Sequence, residues 1–159
     1  MKICFVCQGN IIRSSLAENI FRQLAEERGI GDKYTLDSAG SSSYHVGEAP
    51  DRRMRQVAAE QGLVYSGSAR QFHRDDFNHF DLIIAMDKSN QRRIAEWASS
   101  PDQLGKVHLM REYDPLGGPE LDVPDPYYGG VDGFKTTFEI VERSCAGLME
   151  ELEGAQHTS

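Results

Sequence analysis

The sequence predicts an α/β fold, a four-stranded parallel sheet with helices packed on both faces. Two observations point there. Short apolar runs alternate along the chain with longer stretches whose apolar residues recur at helical spacing, the pattern of strand and crossover helix. The 159 residues are a one-domain length, with no internal repeat and no linker long enough to divide them. At 39% hydrophobic and 26% charged residues the composition is globular rather than disordered. A single domain over 1–154, followed by a disordered tail over 155–159, is the expected organisation.

Lys2–Val6 reads as a buried strand. Between Arg13 and Arg28, Leu16, Ala17, Ile20, Phe21, Leu24 and Ala25 share a helical face, and Gly29 is placed to stop that helix. Tyr34–Ser38 is a short strand. From Pro50 to Gln61, Met54, Val57 and Ala58 mark a second helix with proline near its start. Phe80–Met86 is a strand, Asp87 can cap a helix over Lys88–Ala98, and Lys106–Met110 is the fourth strand. Phe134, Phe138, Val141, Cys145, Leu148, Met149 and Leu152 lie in register on a last helix over Gly133–Leu152. Arg111–Asp132 breaks the alternation, because Pro115, Gly117, Gly118, Pro119, Pro124, Pro126, Gly129 and Gly130 leave no room for regular structure. Long irregular segments inside compact domains are binding loops, lids or disorder. Tyr127 and Tyr128 weigh against disorder, which is poor in aromatics.

Several function classes are excluded early. A net charge of −8, with no basic tract, argues against nucleic acid or an anionic membrane as partner. No apolar run approaches the ~20 residues of a membrane helix, and the apolar N-terminus is too short for a signal peptide core. Three cysteines do not make a disulfide framework, so free thiols in a reducing cytoplasm are expected. His45, His73, His79, His108 and His157 show no metal-ligand spacing, and neither G-x-x-x-x-G-K-[ST] nor G-x-G-x-x-G occurs. No metal is expected, and nucleotide-fold readings lack their motif.

The chemistry concentrates in the loop after the first strand, Cys7-Gln8-Gly9-Asn10-Ile11-Ile12-Arg13-Ser14-Ser15. Cysteine six residues before arginine is a weak signal alone; the alternative is a buried inert thiol and a helix surface charge. Context strengthens it. The loop leaves a buried strand and enters a helix, where ligands bind in open α/β sheets. Unpaired N–H groups and the dipole at a helix start form an anion site. Gly9 and Asn10 readily adopt the left-handed conformations that turn amides inward, and Arg13 offers a planar fork for a tetrahedral oxyanion. The same field favours a thiolate at Cys7, since thiols at helix N-termini or beside cations ionise more readily. A thiolate against a phosphate cradle is poised for in-line attack on phosphorus, giving a cysteinyl-phosphate. Cys4 and Cys7 also spell C-x-x-C, but Cys4 falls inside the strand and Cys145 on a helical apolar stripe, both positions of core hydrophobes.

Such a reaction needs an acid for the leaving oxygen and a base for water, roles one carboxyl can fill in turn. The long loop offers Asp114, Asp122 and Asp125, and the prolines flanking Asp125 stiffen it in an extended backbone. Tyr127 and Tyr128 follow, able to form a slot for a flat ring. A solvated turn with its tyrosines folded onto the core is the alternative.

These residues resemble the low-molecular-weight protein tyrosine phosphatase family. The likeness covers nearly the whole chain and rests on Phe5-Val6-Cys7-Gln8-Gly9-Asn10-Ile11, Arg13-Ser14, Asp37-Ser38-Ala39-Gly40, Ala69-Arg70-Gln71, Ala85-Met86-Asp87 and Asp125-Pro126-Tyr127-Tyr128-Gly129. The resemblance implies a flavodoxin-like sheet, a covalent phosphocysteine mechanism and no cofactor. By position, Cys7 is similar to the nucleophile, Arg13 to the phosphate clamp and Asp125 to the general acid. Ser14 matches the hydroxyl that stabilises the thiolate, and Asn10 the residue that locks the loop. Gln8, Gly9 and Ile12 complete the cradle. Tyr44, Tyr127 and Tyr128 match the lining of the ring slot, with Ile11 its apolar wall. The implied partners are phosphotyrosine-bearing proteins, with inorganic phosphate as product, and the protein is expected to be a cytoplasmic monomer.

Three positions depart from the family pattern. Ile12 stands where a second loop cysteine is usual, removing the partner for a protective disulfide. Ser15 replaces a proline, and Ser15-Leu16-Ala17-Glu18 offers a capping box instead. Gly67 stands where a histidine is often found. Two other functions stay open: a protein-arginine phosphatase on the same scaffold, against which Ile11 and the tyrosine pair argue, and a non-catalytic phosphate-binding module.

Overall fold

The computed structural model describes the backbone of residues 1–157 and the side chains of residues 1–154. Strands β1 (Lys2–Cys7), β2 (Thr35–Gly40), β3 (Leu82–Ala85) and β4 (Val107–Leu109) form one parallel sheet in the order β2-β1-β3-β4. The helices are α1 (Arg13–Glu27), α2 (Arg52–Glu60), α3 (Asp76–His79), α4 (Lys88–Ala95), α5 (Pro101–Leu104) and α6 (Val131–His157), with 3-10 turns at Gly31–Lys33 and Met110–Tyr113.

Strand β1 shows why both faces must be covered. Ile3, Phe5 and Cys7 enter one core with Leu16, Phe21, Met54, Phe134 and Val141 from α1, α2 and α6. Cys4 and Val6 enter the other, with Phe72, Phe77, Ile83 and Ile94. This is the two-residue period of a strand buried on both sides. From β1 the chain crosses to β2 on one side, then returns past β1 to β3 on the other. Open α/β sheets bind ligands outside the carboxyl ends of their strands at such a reversal.

The expected elements form, with shifted ends. Strand β2 runs to Gly40 rather than Ser38, because it pairs with β1 as far as Cys7↔Gly40. Helix α4 ends at Ala95, and Trp97 folds back to stack on Phe72 at 6.1 Å and 8°. The four-residue helices α3 and α5 are too short to leave a periodic signal. The capping box at Ser15–Glu18 does not form. Helix α1 starts earlier, at Arg13, and Glu18 accepts from Ser38 Oγ at 2.7 Å and Arg22 at 2.6 Å instead. Helix α6 continues to His157, past the expected boundary at 154, and positions 158–159 of the expected tail lie outside the described residues.

The breaker-rich segment expected over 111–132 is shorter, 114–130, because a 3-10 turn takes its start and α6 begins at Val131, and it is pinned along its length. Val123 N–H donates to Met86 O at 2.8 Å, Lys88 N–H to Asp122 Oδ1 at 2.9 Å, and Thr137 Oγ1 to Pro124 O at 3.3 Å. Asp114, its side chain wholly buried, accepts from Arg143 Nε at 2.7 Å and Arg111 Nε at 3.1 Å. Burial works against ionising Asp114, and the two arginines outweigh it, holding its carboxyl below the usual range.

Candidate active site

The chain leaves β1 at Cys7 and enters α1 at Arg13 through five loop residues. Asn10 has φ +61°, the single non-glycine positive φ among the described residues. Asparagine tolerates this conformation because its short amide can bond locally. Here Nδ2 donates to Ser14 Oγ at 2.8 Å and Ser38 Oγ at 2.9 Å, while Oδ1 accepts the Arg70 N–H at 3.0 Å. The turn aims the Asn10 N–H at Cys7 Sγ, 3.3 Å away, and Ser14 Oγ approaches the same sulfur at 3.0 Å.

The loop also rests on the end of β2. Ser42 N–H donates to Gln8 O at 3.0 Å, and a Cβ at Gly40 would lie 2.8 Å from that oxygen, so glycine is required there. The start of α1 carries no side-chain cap and no acidic residue in its first turn. Its amides and the positive end of its dipole are left for an external anion.

Arg13 is 2% exposed and held from behind. Its Nη1 donates to Asp87 Oδ2 at 2.7 Å and to Val123 O at 2.9 Å, and its Nη2 lies 3.6 Å from Asp125 Oδ2. Asp87 acts twice, since its Oδ1 caps α4 by accepting Asn90 N–H at 2.7 Å. Burial opposes the charge on Arg13, but the Cys7 sulfur and Asp87 outweigh it and keep the guanidinium firmly protonated.

Asp125 Oδ1 accepts the Tyr127 N–H at 3.0 Å, fixing the carboxyl with Oδ2 towards Arg13. These groups border a cavity of about 510 Å³. Cys7, Gln8, Gly9, Ile11, Ile12, Arg13, Asp125, Tyr127, Tyr128 and Tyr44 line it. Tyr127 meets Tyr128 edge-on at 4.9 Å, whereas Tyr44 and Tyr128 are 85% and 97% exposed, so they border the mouth rather than the depth.

Ten of the twelve sequence-predicted site residues thus line one cavity. Asn10 and Ser14 do not; they sit behind the loop and hold its shape and its sulfur. Sequence reasoning missed Ser42 and His45, which line the same cavity. His45 Nδ1 pairs with Glu48 at 2.7 Å, and its ring lies where a side chain on Gly9 would collide, 2.8 Å from Cδ2. It neighbours Tyr44, yet nothing local marks a lone histidine between β2 and α2. Cys4 belongs to the core on the other face of the sheet from Cys7, and burial pushes the Cys4 and Cys145 thiols up. Among the described residues no group of three or more His, Cys, Asp or Glu is arranged to hold a metal ion. Among the described residues no helix is long and apolar enough to cross a membrane.

A thiol met by the Asn10 N–H and in contact with the Ser14 hydroxyl, beside a buried guanidinium at an uncapped helix start, is the layout of a phosphoryl-transfer site. The profile of the family described as low molecular weight phosphotyrosine protein phosphatase matches residues 2–157. The chain belongs to this family. A low molecular weight protein-tyrosine-phosphatase of Streptomyces coelicolor is 43% identical over 158 residues, covering 96% of each chain. The crystal structure of a protein tyrosine phosphatase from Entamoeba histolytica superposes on this low molecular weight phosphatase with a TM-score of 0.93 at 36% identity, covering 98% of this chain and 99% of that one. A Drosophila arginine phosphatase superposes at 0.88 with 33% identity, covering 96% and 98%. The flavodoxin-like parallel sheet expected from the sequence is the fold these low molecular weight phosphatases share.

Proposed function

We propose that this chain hydrolyses phosphotyrosine in proteins through a cysteinyl-phosphate on Cys7. One observation carries the reading: Cys7 Sγ lies under the Asn10 N–H and Ser14 hydroxyl, next to Arg13, whose guanidinium is fixed by Asp87. The Asn10 N–H meets the sulfur, and the open α1 N-terminus with Arg13 receives the phosphoryl oxygens.

In the first step the Cys7 thiolate attacks phosphorus and the bond to the tyrosine oxygen breaks. Asp125, entering as the acid, gives its proton to that oxygen and tyrosine leaves. In the second step the Asp125 carboxylate takes a proton from water as the water oxygen attacks phosphorus. The P–S bond breaks, the thiolate returns to the Ser14 and Asn10 donors, and inorganic phosphate departs. Asp125 serves both steps because its Oδ1 is tied to the Tyr127 amide while Oδ2 faces the cradle.

Ile11 and Tyr127 favour a flat aryl ring, and the cavity of about 510 Å³ accommodates a phosphorylated tyrosine side chain. One chain supplies every group named, so a monomer suffices. Three unpaired thiols fit a reducing compartment such as the cytoplasm. The test is a side-by-side measurement of kcat/KM on phosphotyrosine, phosphoserine and phosphoarginine peptides. The proposal expects phosphotyrosine to lead by more than tenfold. Preference for phosphoarginine would transfer the chain to the rival activity, and turnover of none would leave a phosphate-binding module.

A further inference from the structure

Tyr127 forms part of the slot wall, but it sits on a loop, and a loop wall holds a ring only as well as it is itself held. Arg53, in the first turn of α2, lies behind it. The Arg53 Cζ is 5.5 Å from the centroid of the Tyr127 ring and 4.6 Å from that of Phe134, a fully buried residue near the start of α6. The guanidinium therefore bridges a loop aromatic to a core aromatic.

Its other edge is tied to the phosphate loop. Arg53 Nη2 donates to Asp51 Oδ2 at 3.0 Å and Nε to Asp51 Oδ1 at 3.3 Å. Asp51 is itself fixed, since its carboxylate caps α2 by accepting the Arg53 and Met54 N–H groups, and its own N–H donates to Ile11 O at 2.8 Å. Burial works against ionising Asp51, but these donors outweigh it and hold the carboxyl below its usual range, keeping the pair charged. Ile11 and Tyr127, both lining the cavity, are thus joined through Asp51 and Arg53.

We infer that Arg53 is a positioning residue for aryl substrates, setting the distance between the Tyr127 wall and the Ile11 wall without touching the phosphoryl group. The inference rests on the phosphotyrosine reading and adds the residue that selects the ring. The phosphate cradle is built from Cys7–Arg13, and its tie to this pair is the Asp51 backbone N–H on Ile11 O, which a change of the Arg53 side chain leaves in place, so the effect separates by ligand. Ligands with a ring feel the displaced wall; ligands without one do not.

The experiment compares Arg53→Met, which keeps the aliphatic stem and loses the charge, with Arg53→Lys, which retains a cation. Inhibition constants for phenylphosphonate, methylphosphonate and inorganic phosphate are measured beside KM and kcat on a phosphotyrosine peptide. Cation–π contacts at partly exposed sites are worth about 0.5–1 kcal/mol, a fold-change of about two to five. The expected result is a rise of that size in the phenylphosphonate constant and in KM for Arg53→Met, with methylphosphonate and inorganic phosphate unmoved and Arg53→Lys in between. A parallel rise for all three inhibitors, or no rise for phenylphosphonate, overturns the inference. The inhibitor ratio keeps its meaning if the wild-type protein fails to turn over phosphotyrosine, so the two readings fail separately.

Discussion

Asn10 is asked to do two things, to adopt a left-handed backbone and to satisfy three buried or half-buried partners, and two substitutions separate them. Asn10→Gly keeps the φ of +61° without strain but removes the donors to Ser14 and Ser38 and the acceptor for the Arg70 N–H. An orphaned buried donor costs about 1–3 kcal/mol, and each lost hydrogen bond about 0.5–1.5 kcal/mol. A loss of about 2–4 kcal/mol in folding stability follows. Asn10→Ala loses the same bonds and adds about 1–2 kcal/mol for a left-handed L-residue. Alanine recovers about 0.4–1 kcal/mol through its stiffer unfolded chain. It should therefore be less stable than the glycine variant by about 1 kcal/mol. Urea unfolding of the three proteins reads these values from the midpoints, provided the slopes agree. In kcat/KM both variants should fall, because the turn that aims the Asn10 N–H at Cys7 Sγ is loosened. An alanine variant as stable as the glycine variant would show that the left-handed turn is not under the constraint described.

Asp125→Ala should slow phosphotyrosine hydrolysis by about 10²–10⁴, the usual worth of a general acid–base, and slow p-nitrophenyl phosphate far less, because that leaving group needs little protonation. Equal slowing of the two esters would count against the acid role. Peroxide should inactivate the protein with poor recovery by thiols. Cys4 lies on the far side of the sheet, and the Cys145 Sγ is engaged 3.6 Å from Ala17 O, so neither can resolve an oxidised Cys7. A Cys4–Cys7 disulfide found by mass spectrometry would contradict this.

What the sequence made legible was local. Cys7, Arg13 and the glycine–asparagine turn lie within one strand–loop–helix unit, so spacing and residue type sufficed to locate the cradle. The crowding of prolines and glycines around Asp125 marked, for the same reason, the irregular loop whose Asp125, Tyr127 and Tyr128 line the cavity. Long-range partners were not readable. Arg13 meets Asp87 across 74 positions and Val123 across 110, and no periodicity encodes such pairings. Asp87 was legible as a helix cap, which it is, while its other oxygen went unnoticed. Ser15–Glu18 shows the converse: a correct local motif was overridden because Ser38, brought alongside by β2, offers Glu18 a partner at 2.7 Å. Leaving α1 uncapped has a consequence a capping box would have blocked, since the free amides are what an anion needs. His45 and Ser42 enter the cavity only because β2 extends to Gly40 beneath the loop, a pairing set by β1 rather than by the residues of β2.

Rapid quench of the protein in mid-turnover, with denaturation and peptide mapping, asks directly whether phosphorus is ever bonded to sulfur. A phosphoryl group on the peptide containing Cys7, appearing at the rate of tyrosine release and missing from Cys7→Ser, is the predicted result. Full turnover with that peptide unmodified at every time point, or hydrolysis retained by Cys7→Ser, would contradict it.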